Sequence, residues 1–265
     1  MPVRHPITGY GVAVSELQAG TNLLDEARAL VDAATEHGVV LRLLGGIAVR
    51  VLCPDLPART RTGQDVDFGS VASSRRPLTD LLVARGYIPD KNFNALYGNK
   101  QLYFTHAEGW AVDVLIDKLE MCHTLDFASR ITRMPYTLDP LDLLLTKLQI
   151  VELNAKDADD CLRLLVTYPV GELDEPGTMD LRVFRELVGD DWGWWRTVTH
   201  NLDRIRTLLA GGEREAIAGG RLDPHAQLTA LEQAAEQAPK SRRWKIRARV
   251  GERVRWYEQP EETTH

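Results

Sequence analysis

Apolar residues at Leu24, Ala27, Leu30, Val31 and Ala34 recur at helical spacing and predict a helix over residues 23–37. His37-Gly38 stops it before Val39-Val40-Leu41, a short apolar run that reads as a strand. Gly45-Gly46 then turns the chain, and Ile47, Ala48, Val51 and Leu52 resume a helical period that ends near Pro54 and Pro57. The polar stretch 58–64 leads into a strand opening at Asp65, and residues 76–85 predict a helix closed by Gly86. Residues 101–106 and the apolar run 110–116 predict a hairpin across Ala107-Glu108-Gly109.

Past Met134-Pro135 the apolar period becomes helical throughout. Asp139-Pro140 is a strong helix start, with an aspartate cap and proline at the first helical position, and Leu141, Leu144, Leu145 and Leu148 continue one stripe. Further helices are expected over 158–166, 179–188, 192–209, 226–238 and 241–255, with a polar tail at 259–265 that should fray. The fold class expected is α/β, of α+β type: a small mixed sheet layered with helices over 1–135, then a helical region over 136–258.

Composition narrows the setting. With 44% hydrophobic and 26% charged residues in 265, the chain has enough apolar material for one large core or two small ones. A formal charge of −6 argues against indiscriminate coating of nucleic acid and leaves local basic stretches open as contact sites. Cys53, Cys122 and Cys161 are scattered and form no Cys-x-x-Cys pair, so neither a disulfide framework nor a zinc site is expected. Residues 1–15 lack the apolar core of a secretory leader and no stretch approaches a membrane span, so a cytoplasmic protein without a membrane partner is expected.

The candidate chemistry begins with Asp65-Val66-Asp67-Phe68. In a strand, side chains alternate faces, so both carboxylates would leave one face while Val66 and Phe68 enter the core. Two carboxylates at about 4 Å repel by roughly 4 kcal/mol at an effective dielectric near 20, which calls for a cation or a proton. Loop or strand-end acids that merely cap or solvate are the plain alternative. Asp113 sits alone in Trp110-Ala111-Val112-Asp113-Val114-Leu115-Ile116, where its neighbours demand burial. A buried carboxylate there needs a metal, an arginine or hydrogen bonds. Asp117 shares its parity and reads as a solvated strand terminator.

Gly45-Gly46 allows close backbone approach ahead of a helix N-terminus able to hold phosphate, although glycine pairs are commonly plain turns. Lys147 falls on the border of its leucine stripe, positioned either to reach a cleft or to snorkel to solvent. Asp157 as N-cap with Asp160 in the first turn would account for both acids of Lys156-Asp157-Ala158-Asp159-Asp160 by capping alone.

Together, Leu43-Leu44-Gly45-Gly46, Gln64-Asp65-Val66-Asp67-Phe68 and Val112-Asp113-Val114 resemble the nucleotidyltransferase superfamily that includes DNA polymerase β. The later Pro140-Leu141-Asp142-Leu143-Leu144-Leu145-Thr146-Lys147-Leu148 and Lys156 to Asp160 segments resemble its AbiEii and MenT-like toxin branch. That branch usually has threonine two residues before the first aspartate, where this chain has Gly63. The resemblance implies a nucleotidyltransferase core over 1–135 and a helical domain over 136–258 that completes the active site. It implies Mg2+ or Mn2+ held by Asp65, Asp67 and Asp113, an NTP substrate cradled by Gly45 and Gly46, and a triphosphate contact from Lys147, oriented by Asp157 or Asp160. In the toxin branch the acceptor can be a tRNA 3′ end and a cognate antitoxin can be the partner. Lys240-Ser241-Arg242-Arg243-Trp244-Lys245-Ile246-Arg247-Ala248-Arg249 would suit RNA, or is a solvated basic helix face. Adenylylation of an aminoglycoside or lincosamide, and a catalytically idle partner-binding protein, are the alternatives.

Overall fold

The structure is a computed structural model that describes residues 11–57, 65–212 and 214–259, with side chains from residue 23 onward. It is a mixed α/β protein with a small mixed sheet and many helices. Helix α1 (Gly11–Glu36) ends on Gly38 at φ +67°, and the Val39 amide donates back to the Ala34 carbonyl at 2.8 Å, which closes the helix in a Schellman turn. The strand expected at 39–41 forms one step later, as β1 (Arg42–Leu43). The Val40 amide donates to Ser74 Oγ at 3.0 Å and the Val40 carbonyl accepts from Ser70 Oγ at 2.6 Å, so serine hydroxyls serve this backbone instead of a ladder.

Helix α2 (Gly45–Leu52) follows directly and buries Ile47, Ala48, Val49 and Leu52. The central sheet adds β2 (Asp65–Ser70), β3 (Ile88–Pro89), β4 (Gln101–Thr105) and β5 (Ala111–Ile116), in the order β1-β2-β5-β4-β3. β2 and β5 run parallel, and every other pairing in this sheet is antiparallel, including the expected β4–β5 hairpin. Helix α3 (Arg75–Ala84) connects β2 to the edge, and a short α4 (Lys91–Tyr97), capped by Asp90, links β3 to β4. Asp117 ends β5 at φ +63° and its Oδ1 accepts from the Ala72 amide at 3.0 Å, so it fastens a turn where solvation alone was expected. A second hairpin follows, β6 (Lys118–Glu120) with β7 (Thr124–Asp126).

The helical half opens with α5 (Pro140–Leu148), where Asp139 accepts from the Leu141 amide and proline starts the helix as expected. Helix α6 (Ala155–Thr167) begins earlier than the sequence suggests because Asn154, rather than Asp157, is the N-cap. The helix expected from 179 starts at α7 (Leu181–Asp190), since Met179–Asp180 pairs as β9 with β8 (Val170–Gly171) and Asp180 caps the helix. Helices α8 (Trp192–Ala210), α9 (Pro224–Gln237) and α10 (Arg242–Val250) complete the set, with aspartate caps on α8 and α9. α10 stops at Gly251, φ +59°, five residues before the expected end. Of the tail expected to fray, residues 260–265 lie outside the described residues, as do Gly63 and the polar stretch 58–64.

One apolar cluster runs through both halves, from Leu23 to Ala238, and includes Phe68, Phe104, Leu144, Leu164 and Phe184. All three cysteines are buried and free. Among the described residues, no helix is long and apolar enough to cross a membrane.

Candidate functional site

Strand alternation sends Val66 and Phe68 into the core, 1% and 0% exposed, and leaves Asp65 exposed and Asp67 half-buried on the opposite side. Parallel pairing sets Asp65 against Ala111 and Asp67 directly against Asp113. Neighbouring strands lie about 4.8 Å apart, so the Asp67 and Asp113 carboxylates leave the same face within one strand spacing.

The loop before α2 reaches this face from the other side. Leu44 donates its amide to the Asp67 carbonyl at 2.8 Å. Gly45 follows at φ +61°, and a Cβ on it would stand 2.2 Å from Asp67 Oδ2. Both the backbone angle and the contact therefore demand glycine here. Gly46 is the second residue of α2, and Leu44 gives this helix no side-chain cap, so its positive end lies beside the acids without a cap of its own.

Among the described residues, no arginine pairs with Asp113. Gln101, two residues along β4 from Tyr103, which pairs with Asp113, donates Nε2 to both of its carboxylate oxygens, at 2.8 and 2.7 Å. The Asp113 carboxyl is raised to about 6, pushed up by burial and by the fields of Asp67 and Asp65 against the Gln101 hydrogen bonds that pull it down. The Tyr103 phenol on the same face is raised by burial and by Asp65, Asp113 and Asp90. Among the described residues, no three His, Cys, Asp or Glu side chains stand as a ready-made metal cage. The acids instead form an all-oxygen face of concentrated negative charge, the donor chemistry of a hard divalent cation.

Lys147 belongs to a second group. Its ammonium sits 2.6 Å from Asp157 Oδ1 and 3.4 Å from Asp160 Oδ2, with side-chain exposures of 14%, 15% and 3%. Burial works against its charge, but Asp160 and Asp157 outweigh that and hold it above the ordinary lysine value. Asp157 Oδ2 also accepts from Asn154 Nδ2 at 2.7 Å, so Asp157 joins the lysine to the helix cap. The structure thus pairs Lys147 with Asp157 and Asp160, and sets Asp67 beside Asp113 with Asp65 near enough for its charge to raise the Asp113 carboxyl.

Gln101 and Tyr103 were not singled out from the sequence, although the alternation Gln101-Leu102-Tyr103-Phe104-Thr105 puts both on the polar side of β4. Pairing across strands, which brings them to Asp113, is invisible in any one segment.

No family model matches this chain, and no curated protein matches it in sequence. Among solved structures it is similar to the lincosamide antibiotic adenylyltransferase LnuA bound to lincomycin, at 17% identity and a TM-score of 0.39, over 51% of this chain and 92% of that one. The antibiotic-resistance factor ANT(2'')-Ia aligns at 14% identity and a TM-score of 0.38, over 55% of this chain and 83% of that one. An antigenic nucleotidyltransferase-like protein from Paracoccidioides brasiliensis aligns at 11% identity and a TM-score of 0.41, over 83% of this chain and 94% of that one.

Proposed function

We propose that this chain is a metal-dependent nucleotidyltransferase that moves an NMP from an NTP to a hydroxyl acceptor, with a tRNA 3′ end as the acceptor. The observation that carries this reading is the register of Asp67 against Asp113 with the Gly45 backbone pressed onto the Asp67 carboxylate. Like charges are gathered there beside a helix N-terminus, the surroundings suited to a cation and a polyphosphate together.

Asp65, Asp67 and Asp113 would hold Mg2+ or Mn2+, which supplies charge neutralisation and alignment of the reacting phosphate. The amides at Gly45 and Gly46 hold the triphosphate. The acceptor oxygen forms a bond to the α-phosphorus, the bond from that phosphorus to the bridging oxygen breaks, and pyrophosphate leaves. The hydroxyl proton passes to Asp113. Lys147, held charged by Asp157 and Asp160, offsets negative charge on the departing phosphates. Residues 136–258 form the helical domain that supplies this lysine.

Incubation of the pure protein with each α-labelled NTP, Mg2+ or Mn2+ and total tRNA should transfer label to RNA, and Asp67→Ala should abolish it. Parallel incubations with an aminoglycoside and a lincosamide distinguish a small-molecule acceptor. Absence of label on every acceptor would leave a partner-binding protein as the reading. Expression should arrest growth in the toxin reading, and a cognate antitoxin should relieve the arrest.

A further inference from the structure

Residues 240–255 carry eight lysines and arginines against a single acid, Glu252. The stretch is therefore +7 in a chain of −6, which leaves −13 for everything else. Such segregation is costly in self-repulsion and concentrates positive charge on one short segment. It borders an open cleft of about 890 Å3 between the β6–β7 turn, the start of α8, α10 and the strap 254–258.

The cleft is rigidly built. Arg247 lies 4.8 Å over the Trp192 ring and donates to the Gly251 and Val254 carbonyls at 2.7 and 2.6 Å, fixing the turn out of α10. The strap is then tied down by Trp256 Nε1 to Thr197 Oγ1 at 3.0 Å and by the Glu258 amide to the Cys122 carbonyl at 3.0 Å. Trp256 and Tyr257 present half-buried rings with centroids 5.3 Å apart and planes at 76°, and the Arg255 guanidinium stands 5.8 Å from the Tyr257 ring. Arg243 and Arg255 are exposed at the cleft's edge. Of the two acids lining it, Asp191 and Glu258, Asp191 caps α8 with Oδ1 through the Gly193 and Trp194 amides, and its Oδ2 lies 3.7 Å from the exposed Arg243 guanidinium.

We infer that this cleft is a binding site for single-stranded nucleic acid, with the arginines on phosphates and the recessed Trp256 and Tyr257 rings stacking unpaired bases. Stacking on aromatic rings beside a basic track is the sequence-tolerant means of holding a strand. Rings sunk in a cleft reach splayed bases, whereas a paired duplex or a flat bilayer surface meets only the rim. None of the residues lining this cleft belongs to the acid face, and its occupation requires neither NTP nor metal.

The test is fluorescence anisotropy of the whole protein with a labelled 12-nucleotide single-stranded RNA of mixed sequence, in EDTA and without NTP. Wild type should bind with log-log salt dependence, and Arg243→Glu with Arg255→Glu should reduce that slope by roughly 1.4 for two lost phosphate contacts. Tyr257→Ala should weaken binding about tenfold, with circular dichroism confirming an unchanged fold. Asp67→Ala should bind as wild type does, so a failed transfer reaction leaves this result intact. The inference is overturned by no binding in wild type, by affinity unaltered in both cleft variants, by equal affinity for duplex RNA, or by variant-sensitive binding to phosphatidylserine vesicles in place of RNA.

Discussion

A methyl group at position 45 has nowhere to go. The φ of +61° is strained for any residue with a Cβ, and that atom would overlap the Asp67 carboxylate at 2.2 Å. Gly45→Ala should therefore cost about 1–2 kcal/mol in urea unfolding and abolish transfer, because relief requires Asp67 or the helix start to move. Wild-type stability together with wild-type transfer would remove the argument that this contact builds the site. Asp113 makes the opposite trade. Its carboxyl is raised from 3.8 to about 6 in the folded protein, so the folded state binds that proton more tightly than the unfolded state. Its contribution to stability thus falls as pH rises from about 4 to about 6 and stays reduced above. In EDTA at pH 7, Asp113→Asn should stabilise the protein by roughly 1–2 kcal/mol while transfer is lost. A destabilised variant would mean that Gln101 compensates the charge fully.

The elements show where sequence periodicity succeeds and where it stops. Hairpin β4–β5 and helices α5 and α8 follow from alternation, leucine spacing and aspartate caps, all local properties. The position of β1 does not, because Ser70 and Ser74 side chains occupy the backbone groups of Val40 from 30 and 34 residues away. Likewise the two-residue β9 depends on β8, and Asn154 takes the cap from Asp157 through a bond to the Asp157 amide at 2.9 Å. The candidate acids were legible because Asp65 and Asp67 share strand parity, whereas Gln101 and Tyr103 required the β4–β5 register. The α5–α6 pairing yields a prediction of its own. Lys147→Met removes the ammonium that stands 3.4 Å from Asp160, 3% exposed, and should cost about 3 kcal/mol. Adding Asp160→Leu should recover most of that stability, since an apolar pair can replace a buried ion pair. Transfer activity should stay absent in the double variant, and its return would exclude Lys147 from the chemistry.

For the whole molecule, one cluster from Leu23 to Ala238 ties the sheet to the helices. Local proton uptake should consequently register in global unfolding. His123 offers the cleanest case, because it lies between the β6–β7 hairpin and α8, with its ring nitrogen 2.8 Å from Thr197 Oγ1 and its ring 5.2 Å from that of Trp194. Burial pushes it down from 6.5 to about 4, and Asp191 only partly opposes that shift. The unfolded chain therefore takes up a proton on acidification before the folded one does. The stability His123 contributes is complete above about pH 6.5 and is lost as pH falls toward 4. His123→Gln removes this dependence, so its stability relative to wild type should improve by roughly 2 kcal/mol between pH 7 and pH 4.5. The measurement is urea unfolding at each pH, followed by tryptophan fluorescence and far-ultraviolet circular dichroism. Five of the six tryptophans fall between residues 192 and 256, so fluorescence reports the helical half while dichroism reports both halves. If the shared core couples them, the two probes give one transition and the same pH-dependent difference; a shift confined to fluorescence would show that the halves unfold separately.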